Sequence, residues 1–308
     1  MIKKDIFERD IKAQFKAAAK DRLYRFIMAD GMMKGAVVHA TRMIKEMQAN
    51  HNLGAVETLV LGQAYIAAAL MSSSLKGKND RLSLSVQCSG PIKGLDVDAN
   101  VFGEIRGYLK VPRIEVEKAE QVRSLSSLFG AGFITVTKYL EDAKTPYSGQ
   151  VELAYGSIAE DLAHYYLTSE QIPTGFKLSV AFDENEQVVG AGGVFLQAMP
   201  GVDPDQVAQA EALIQSMDSL GQTFADGKKP QAIVEEVFAD LDPQMLKDNR
   251  IEFFCRCTQE RMEGYLKGLA PEDRKDIAEN GPFPLELRCH HCNTVYRFTQ
   301  EAIKELLA

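Results

Sequence analysis

Four of the five cysteines of this 308-residue chain lie in its last 54 residues. They stand as Cys255-Arg256-Cys257 and, after 31 intervening residues, Cys289-His290-His291-Cys292. Side chains on an extended backbone repeat every two residues, so a Cys-x-Cys presents both sulfurs on one face. A Cys-x-x-Cys wraps a tight turn around a cation, and two such pairs complete a tetrahedral shell of thiolates at ~2.3 Å from Zn2+. Between the pairs, Met262, Tyr265, Leu266 and Leu269 mark one helical face, and a second helix opens near Pro271 and ends at Gly281. Beyond them Tyr296 and Phe298 alternate with Arg297, the pattern of a short strand. A segment of this size with so few apolar side chains needs a metal or a disulfide to fold. His290 and His291 are alternative ligands, but four thiolates already fill the shell, and the interior residues of a knuckle face outward.

Cysteines clustered in this way point to metal binding or redox chemistry, not to a disulfide framework, if the compartment is reducing. The spacing leaves open whether the centre is structural or a switch. Thiolates react with oxidants and zinc keeps its ligands as thiolates. Structural zinc contributes ~10–16 kcal/mol of apparent binding free energy, so a small module that loses it unfolds. The fifth cysteine, Cys88, follows Leu82, Leu84 and Val86 on the apolar side of a predicted strand and reads as a small buried hydrophobe.

Charge divides the chain further. Net charge is -8, yet residues 1–200 carry 23 acids and 23 bases. Residues 201–245 carry nine acids and two bases, and residues 246–308 carry 11 and 10. The excess therefore sits in one middle segment, a self-repelling linker or the solvated face of weakly held helices. Two stripes run through it: Val207, Ala210, Ile214 and Met217, then Ile233, Val237, Phe238 and Leu241, the second opened by Pro230 and closed by Asp242-Pro243. Gly221 to Gly227 reads as a break between them. Helices this short are not stable alone and must dock.

In the first 200 residues, the opening 20 read as an amphipathic helix, Ala36–Gln48 as a helix, and Val56–Leu75 as a buried one. Strands are expected at Leu82–Cys88, Gly94–Asp98, Ile105–Val111, Phe133–Leu140, Gln150–Tyr155, Phe176–Phe182 and Val188–Leu196. Ser157 and Glu160 form a capping box for a helix through Leu167. Strands following strands, with helices segregated, indicate an α+β fold. The division expected is an N-terminal sheet-and-helix domain over 1–200, an acidic helical linker over 201–250 and a four-cysteine zinc domain over 251–308. No stretch reaches the ~18 uninterrupted apolar residues of a membrane span, since Glu57, Gln63 and Tyr65 interrupt Val56–Met71. The charged N-terminus lacks a signal-peptide core, so a cytosolic protein is expected.

No Walker lysine follows Gly190, Gly192 and Gly193, which read as a bulge or close backbone packing. No Ser/His/Asp set, zincin motif or nucleotide fingerprint is evident, and His39, His51 and His164 stand singly. An enzyme is not expected. The acidic balance also disfavours a zinc-ribbon nucleic-acid adaptor. A thiol oxidoreductase would place its Cys-x-x-Cys at a strand-to-helix turn; here it follows Glu286-Leu287-Arg288 and precedes another strand.

The chain resembles the redox-regulated, zinc-binding heat-shock holdases of the 33 kDa chaperonin family, from about Asp21 to the C-terminus. The most specific stretches are Cys255-Arg256-Cys257-Thr258-Gln259-Glu260-Arg261 and Cys289-His290-His291-Cys292 with Tyr296 and Phe298. Supporting stretches are Gly90-Pro91-Ile92-Lys93-Gly94, Arg106-Gly107-Tyr108, Ser169-Glu170-Gln171-Ile172-Pro173-Thr174, and Gly192-Gly193 through Gln197-Ala198-Met199-Pro200-Gly201. Residues 1–20 look like an extension, and Thr258 replaces a common Ser while keeping a capping hydroxyl. The resemblance implies an ATP-independent bacterial cytosolic chaperone. It implies one Zn2+ per reduced, idle chain, held by Cys255, Cys257, Cys289 and Cys292. Under oxidants and unfolding stress, Cys255 would pair with Cys257 and Cys289 with Cys292, zinc would leave and the linker would unfold. Homodimers would then bind unfolding client proteins and prevent aggregation, with neither nucleic acid nor membrane as partner.

Overall fold

The computed structural model describes residues 1–4, 21–115 and 125–307, so most of the amphipathic helix expected over the first 20 residues lies outside the described residues. From Asp21 the chain forms a hairpin, β1 (Arg22–Met28) and β2 (Met33–His39), then helices α1 (Thr41–His51) and α2 (Ala55–Ser72). Strands β3 (Arg81–Cys88), β4 (Gly94–Asn100) and β5 (Glu104–Leu109) follow. After α3 (Ser126–Phe129) come β6 (Gly132–Tyr139), β7 (Tyr147–Glu152), α4 (Ile158–Tyr165), β8 (Thr174–Phe182) and β9 (Val188–Ala198). Three helices, α5 (Pro204–Ser216), α6 (Leu220–Ala225) and α7 (Pro230–Val237), lead to β10 (Gln244–Arg250) and β11 (Glu252–Phe253). The chain ends in α8 (Gln259–Lys267), α9 (Pro271–Asn280), the hairpin β12 (Leu285–Arg288) and β13 (Val295–Phe298), and α10 (Gln300–Leu307).

The strands build a five-stranded sheet in the order β10-β1-β2-β9-β8 and a six-stranded sheet in the order β11-β5-β4-β3-β6-β7. All pairings are antiparallel except that of β11 with β5. This mixed, segregated arrangement is the α+β fold that the sequence indicates. Helix α2 lies between the two sheets and touches strands of both. Its composition and 18-residue length would suit a membrane span, but 78% of it is buried within the protein. Hydrophobicity all round the helix is what two flanking sheets require. Glu57, one of the interruptions, is buried in its first turn and accepts the Ile114 amide at 2.7 Å.

The helix expected over Ala36–Gln48 begins only at Thr41, because Ala36–His39 belong to β2. This strand is covered on both faces, which hides its alternation. Ala36 and Val38 point into the cluster around α2, while Met33 and Val37 point to the opposite side. Cys88 is half-buried at the last position of β3, where the strand leaves the core. Ser157 caps α4 as expected, accepting the Glu160 amide. The reciprocal role falls to Asp161, fully buried, which takes the Ala154, Tyr155 and Ser157 amides at 2.8–2.9 Å.

The outer face of the five-stranded sheet carries Phe26, Met28, Met33, Val37, Val194 and Leu196. Helices α5 to α7 cover it with Ala210, Ile214, Met217, Leu220, Phe224, Ile233, Val234, Phe238 and Leu241. Both stripes dock, although Val207 and Val237 are only partly buried. The break expected at Gly221–Gly227 is largely the helix α6, capped by Ser219. Its glycine serves close approach: a Cβ on Gly221 would meet the Ala181 nitrogen at 2.7 Å, and one on Gly190 would meet the Gly221 carbonyl oxygen at 1.9 Å. A Cβ on Gly192 would strike Phe224 at 2.2 Å. The glycines of β9 thus mark a helix laid directly on a strand, the close packing expected of them.

Candidate metal centre

The polypeptide reaches the cysteines from the edges of both sheets. Strand β10 pairs with β1 and is held by the Arg22–Asp248 ion pair. The Ile251 amide then donates to the Asp21 carbonyl at 3.0 Å, Glu252 to Gly103 at 2.8 Å, and Phe254 to Ile105 at 3.0 Å. Cys255 and Cys257 follow on this extended stretch, and the Thr258 hydroxyl accepts the Arg261 amide at 3.3 Å to start α8. The second pair sits in the β12–β13 connection, where the Asn293 amide donates to the Cys289 carbonyl at 2.7 Å and the Cys289 amide to Thr294 at 2.9 Å.

These turns bring all four Sγ atoms within 4.8 Å of one another. The cysteines are free and buried, none more than 7% exposed. A tetrahedral cation with ~2.3 Å arms sets its sulfurs about 3.8 Å apart. Cys255 and Cys289 are 3.8 Å apart, and Cys257 and Cys292 are 3.4 Å apart. Both of these contacts join a cysteine of one sequence pair to a cysteine of the other. Without a cation, four crowded thiols cannot all ionise. Hydrogen bonds from Cys289 and Cys292 drive the Cys255 thiol far below its ordinary range. Bonding to Cys255 pushes Cys289 up to about 12 and raises Cys292 well above its usual value. A soft metal ion relieves that conflict, and the donor set fits one.

The surroundings moderate the charge that four thiolates would bring. Arg106 on β5 reaches Cys255 Sγ with its guanidinium at 3.7 Å and is held by Asp98 at 3.0 Å. Tyr296 donates its hydroxyl towards the Cys257 carbonyl at 3.0 Å and Cys257 Sγ at 3.1 Å. Thr294 Oγ1 lies 3.2 Å from Cys292 Sγ. Asn50, buried at the end of α1, donates to the Cys292 carbonyl at 2.9 Å, and Asn293 donates to the Asn50 carbonyl at 2.9 Å. The Gly107 amide donates to the His291 carbonyl at 3.3 Å, and the Tyr65 hydroxyl of α2 donates to Gly107 at 2.9 Å.

His290 is exposed and His291 half-buried; His291 stands edge-on to Tyr108, with Nδ1 4.0 Å from Asp98. Neither belongs to the four-sulfur cluster. Sequence reading missed Asn50 and assigned no role to Arg106, although Arg106-Gly107-Tyr108 was a recognisable stretch. Nothing local signals that an asparagine at a helix end will meet a turn 242 residues away. The sparse apolar residues between the cysteine pairs also look different in place. Met262, Leu266, Tyr296, Phe298 and Ile303 extend the cluster around α2, whereas Tyr265 is 68% exposed.

Known proteins share this arrangement. A profile of the family described as "Hsp33 protein" matches residues 21–299. A protein named "33 kDa chaperonin" from Agathobacter rectalis is 34% identical over 287 residues, covering 93% of this chain and 99% of its own. One of the same name from Synechococcus elongatus is 35% identical over 293 residues, covering 94% and 97%. The crystal structure of a 33 kDa chaperonin from Thermotoga maritima superposes with a TM-score of 0.83 at 29% identity, covering 94% of this chain and 97% of its own.

Two outcomes are expected from the centre. Replacing Arg106 with Gln removes the cation beside Cys255, and groups supporting ligands typically alter metal affinity by about 10–100-fold. Competition with a chromogenic chelator should show Zn2+ or Co2+ held about tenfold less tightly, with far-UV circular dichroism unchanged. His51, at the end of α1 beside Phe253, is pushed down to about 4 by burial. The neutral ring contributes full stability above pH ~6.5, which is lost progressively as pH falls towards the folded-state value. A His51→Leu chain should lose less stability than the parent between pH 7 and 5, by on the order of 1–2 kcal/mol in urea titrations.

Proposed function

The chain belongs to the Hsp33 family, and from that membership and the geometry of its thiols we propose that it is a redox-regulated, ATP-independent holdase. The observation that carries the reading is the direct route from the four buried sulfurs to the helices covering the outer face of the five-stranded sheet. Only β11 and β10 separate Cys255 from the turn that ends the cover.

In the idle state Cys255, Cys257, Cys289 and Cys292 hold one Zn2+ in a reducing cytosol. Bound zinc keeps the sulfurs as thiolates and ties the β12–β13 turn to the chain entering α8. Arg106, Tyr296 and Thr294 offset the charge and orient the ligands. On oxidation, Cys255 pairs with Cys257 and Cys289 with Cys292. Each pair gives up two electrons to one peroxide, which takes two protons and leaves as two waters. All four sulfurs lie within 4.8 Å of one another, so each partner is already close when the cluster opens.

Loss of the cluster removes the anchor of β11 and then of β10. Helices of 13, six and eight residues in a segment with seven excess negative charges are not stable alone. Their departure uncovers Phe26, Met28, Met33, Val37, Val194 and Leu196, an apolar face suited to unfolding clients. Activated chains act as homodimers. Domain limits near residues 200 and 250 fit this division of labour, with β10 as the strand that couples linker to metal module. The reduced chain buries all four sulfurs, which disfavours disulfide exchange with a substrate.

Peroxide at raised temperature should release zinc stoichiometrically from the loaded chain and make it suppress aggregation of a chemically unfolded client. Equal suppression by the reduced, metal-loaded chain would overturn the reading. Peptide mapping should find 255–257 and 289–292 disulfides. Separately, Phe238 is fully buried with its ring 5.8 Å from that of Phe26. Phe238→Asp places an unpaired charge there, so this variant should hold clients without oxidant while retaining its metal.

A further inference from the structure

Residues 1–4 precede the stretch matched by the family profile, yet they lie against the four-cysteine cluster. The Met1 nitrogen donates to the Cys257 carbonyl at 2.7 Å. The Ile2 amide donates to Thr294 Oγ1 at 3.2 Å, beside Cys292 Sγ. The Ile2 carbonyl accepts the side-chain amide of Asn50 at 3.1 Å, and Asn50 Oδ1 accepts the Lys4 amide at 2.8 Å. Lys3 Nζ lies 2.6 Å from the buried carboxylate of Glu46 on α1 and 3.8 Å from Glu252 on β11.

We propose that Met1–Lys4 is a strap that fastens both thiol pairs to α1 and slows opening of the metal module. Its bonds run to the carbonyl of one ligand, to the hydroxyl beside another, and to the helix-end asparagine that holds the second pair. Its lysine bridges that helix to the strand entering the first pair. No separation of the β12–β13 turn from α1 can occur while these contacts persist. The strap therefore acts on the closed state and contributes nothing to the apolar face beneath α5 to α7. Its functional consequence rests on the switch reading above; the contact itself does not.

Three full-length or near-full-length chains test it. Lys3→Glu sets a carboxylate against Glu46 and Glu252. A second chain joins Met1 directly to Asp21. Lys4→Glu changes the charge equally on an exposed side chain and is the control. In the reduced, zinc-loaded state, amide hydrogen exchange across 289–299 should quicken about tenfold in the first two, the effect of losing one or two hydrogen bonds. The control should match the parent. Zinc release under a fixed peroxide dose should quicken in the same order. Parental exchange and release rates in both strap variants, or equal acceleration by Lys4→Glu, would overturn the strap. If the strap variants exchange faster but the parent chain releases no zinc on oxidation, the strap stands and the switch reading falls.

Discussion

Like charge at close range is the constraint around which this molecule is arranged. Four sulfurs within 4.8 Å of one another, buried beneath two sheet edges, cannot carry four negative charges without a cation among them. Removing water strengthens both the repulsion and the attraction to Arg106. The same burial favours either a bound metal ion or sulfurs that keep their protons. The module is otherwise tied down by a small apolar set, Met262, Leu266, Tyr296, Phe298 and Ile303, and α9 contributes only the partly buried Ile277 and Ala278.

That local conflict reaches the rest of the protein because the ligand-bearing chain is also the end of the sheets. Strand β11 edges the six-stranded sheet and β10 edges the five-stranded one. Helix α6 lies so close to β9 that Gly190 and Gly192 have no room for a side chain. A cover fitted this tightly is all or nothing, since a small displacement forfeits the contacts without creating new ones.

Much of this was legible where chemistry is local. The two cysteine pairs identify a tetrahedral donor set by spacing alone, and alternation in Leu82, Leu84 and Val86 marks a strand with one polar face. Proline at 230, serine at 157 and threonine at 258 locate helix starts because capping depends on adjacent backbone. The hairpin β1–β2 was hidden because both its faces are apolar: Phe26 and Val37 meet the linker helices while Leu23 and Val38 meet α2. Gly221 looked like a breaker, but here it admits a helix to a strand surface. In each of these cases the missing information was the identity of a partner far along the chain.

The amino-acid sequence by itself determined the donor atoms, the acidic segment between two nearly neutral ones, and the alternation of most strands, because each is a property of residue type and short-range spacing. Tertiary structure alone decided that two sheets would flank α2, the helix whose sequence already marks it as buried, and absorb its apolar surface. It also decided that Asn50 and Arg106 would serve the sulfurs and that sulfurs of the two sequence pairs would touch one another. Those outcomes depend on which surfaces meet after hundreds of residues of intervening chain. Excluded volume and the pairing of buried polar groups decide that meeting, and neither can be read from a window of neighbouring residues.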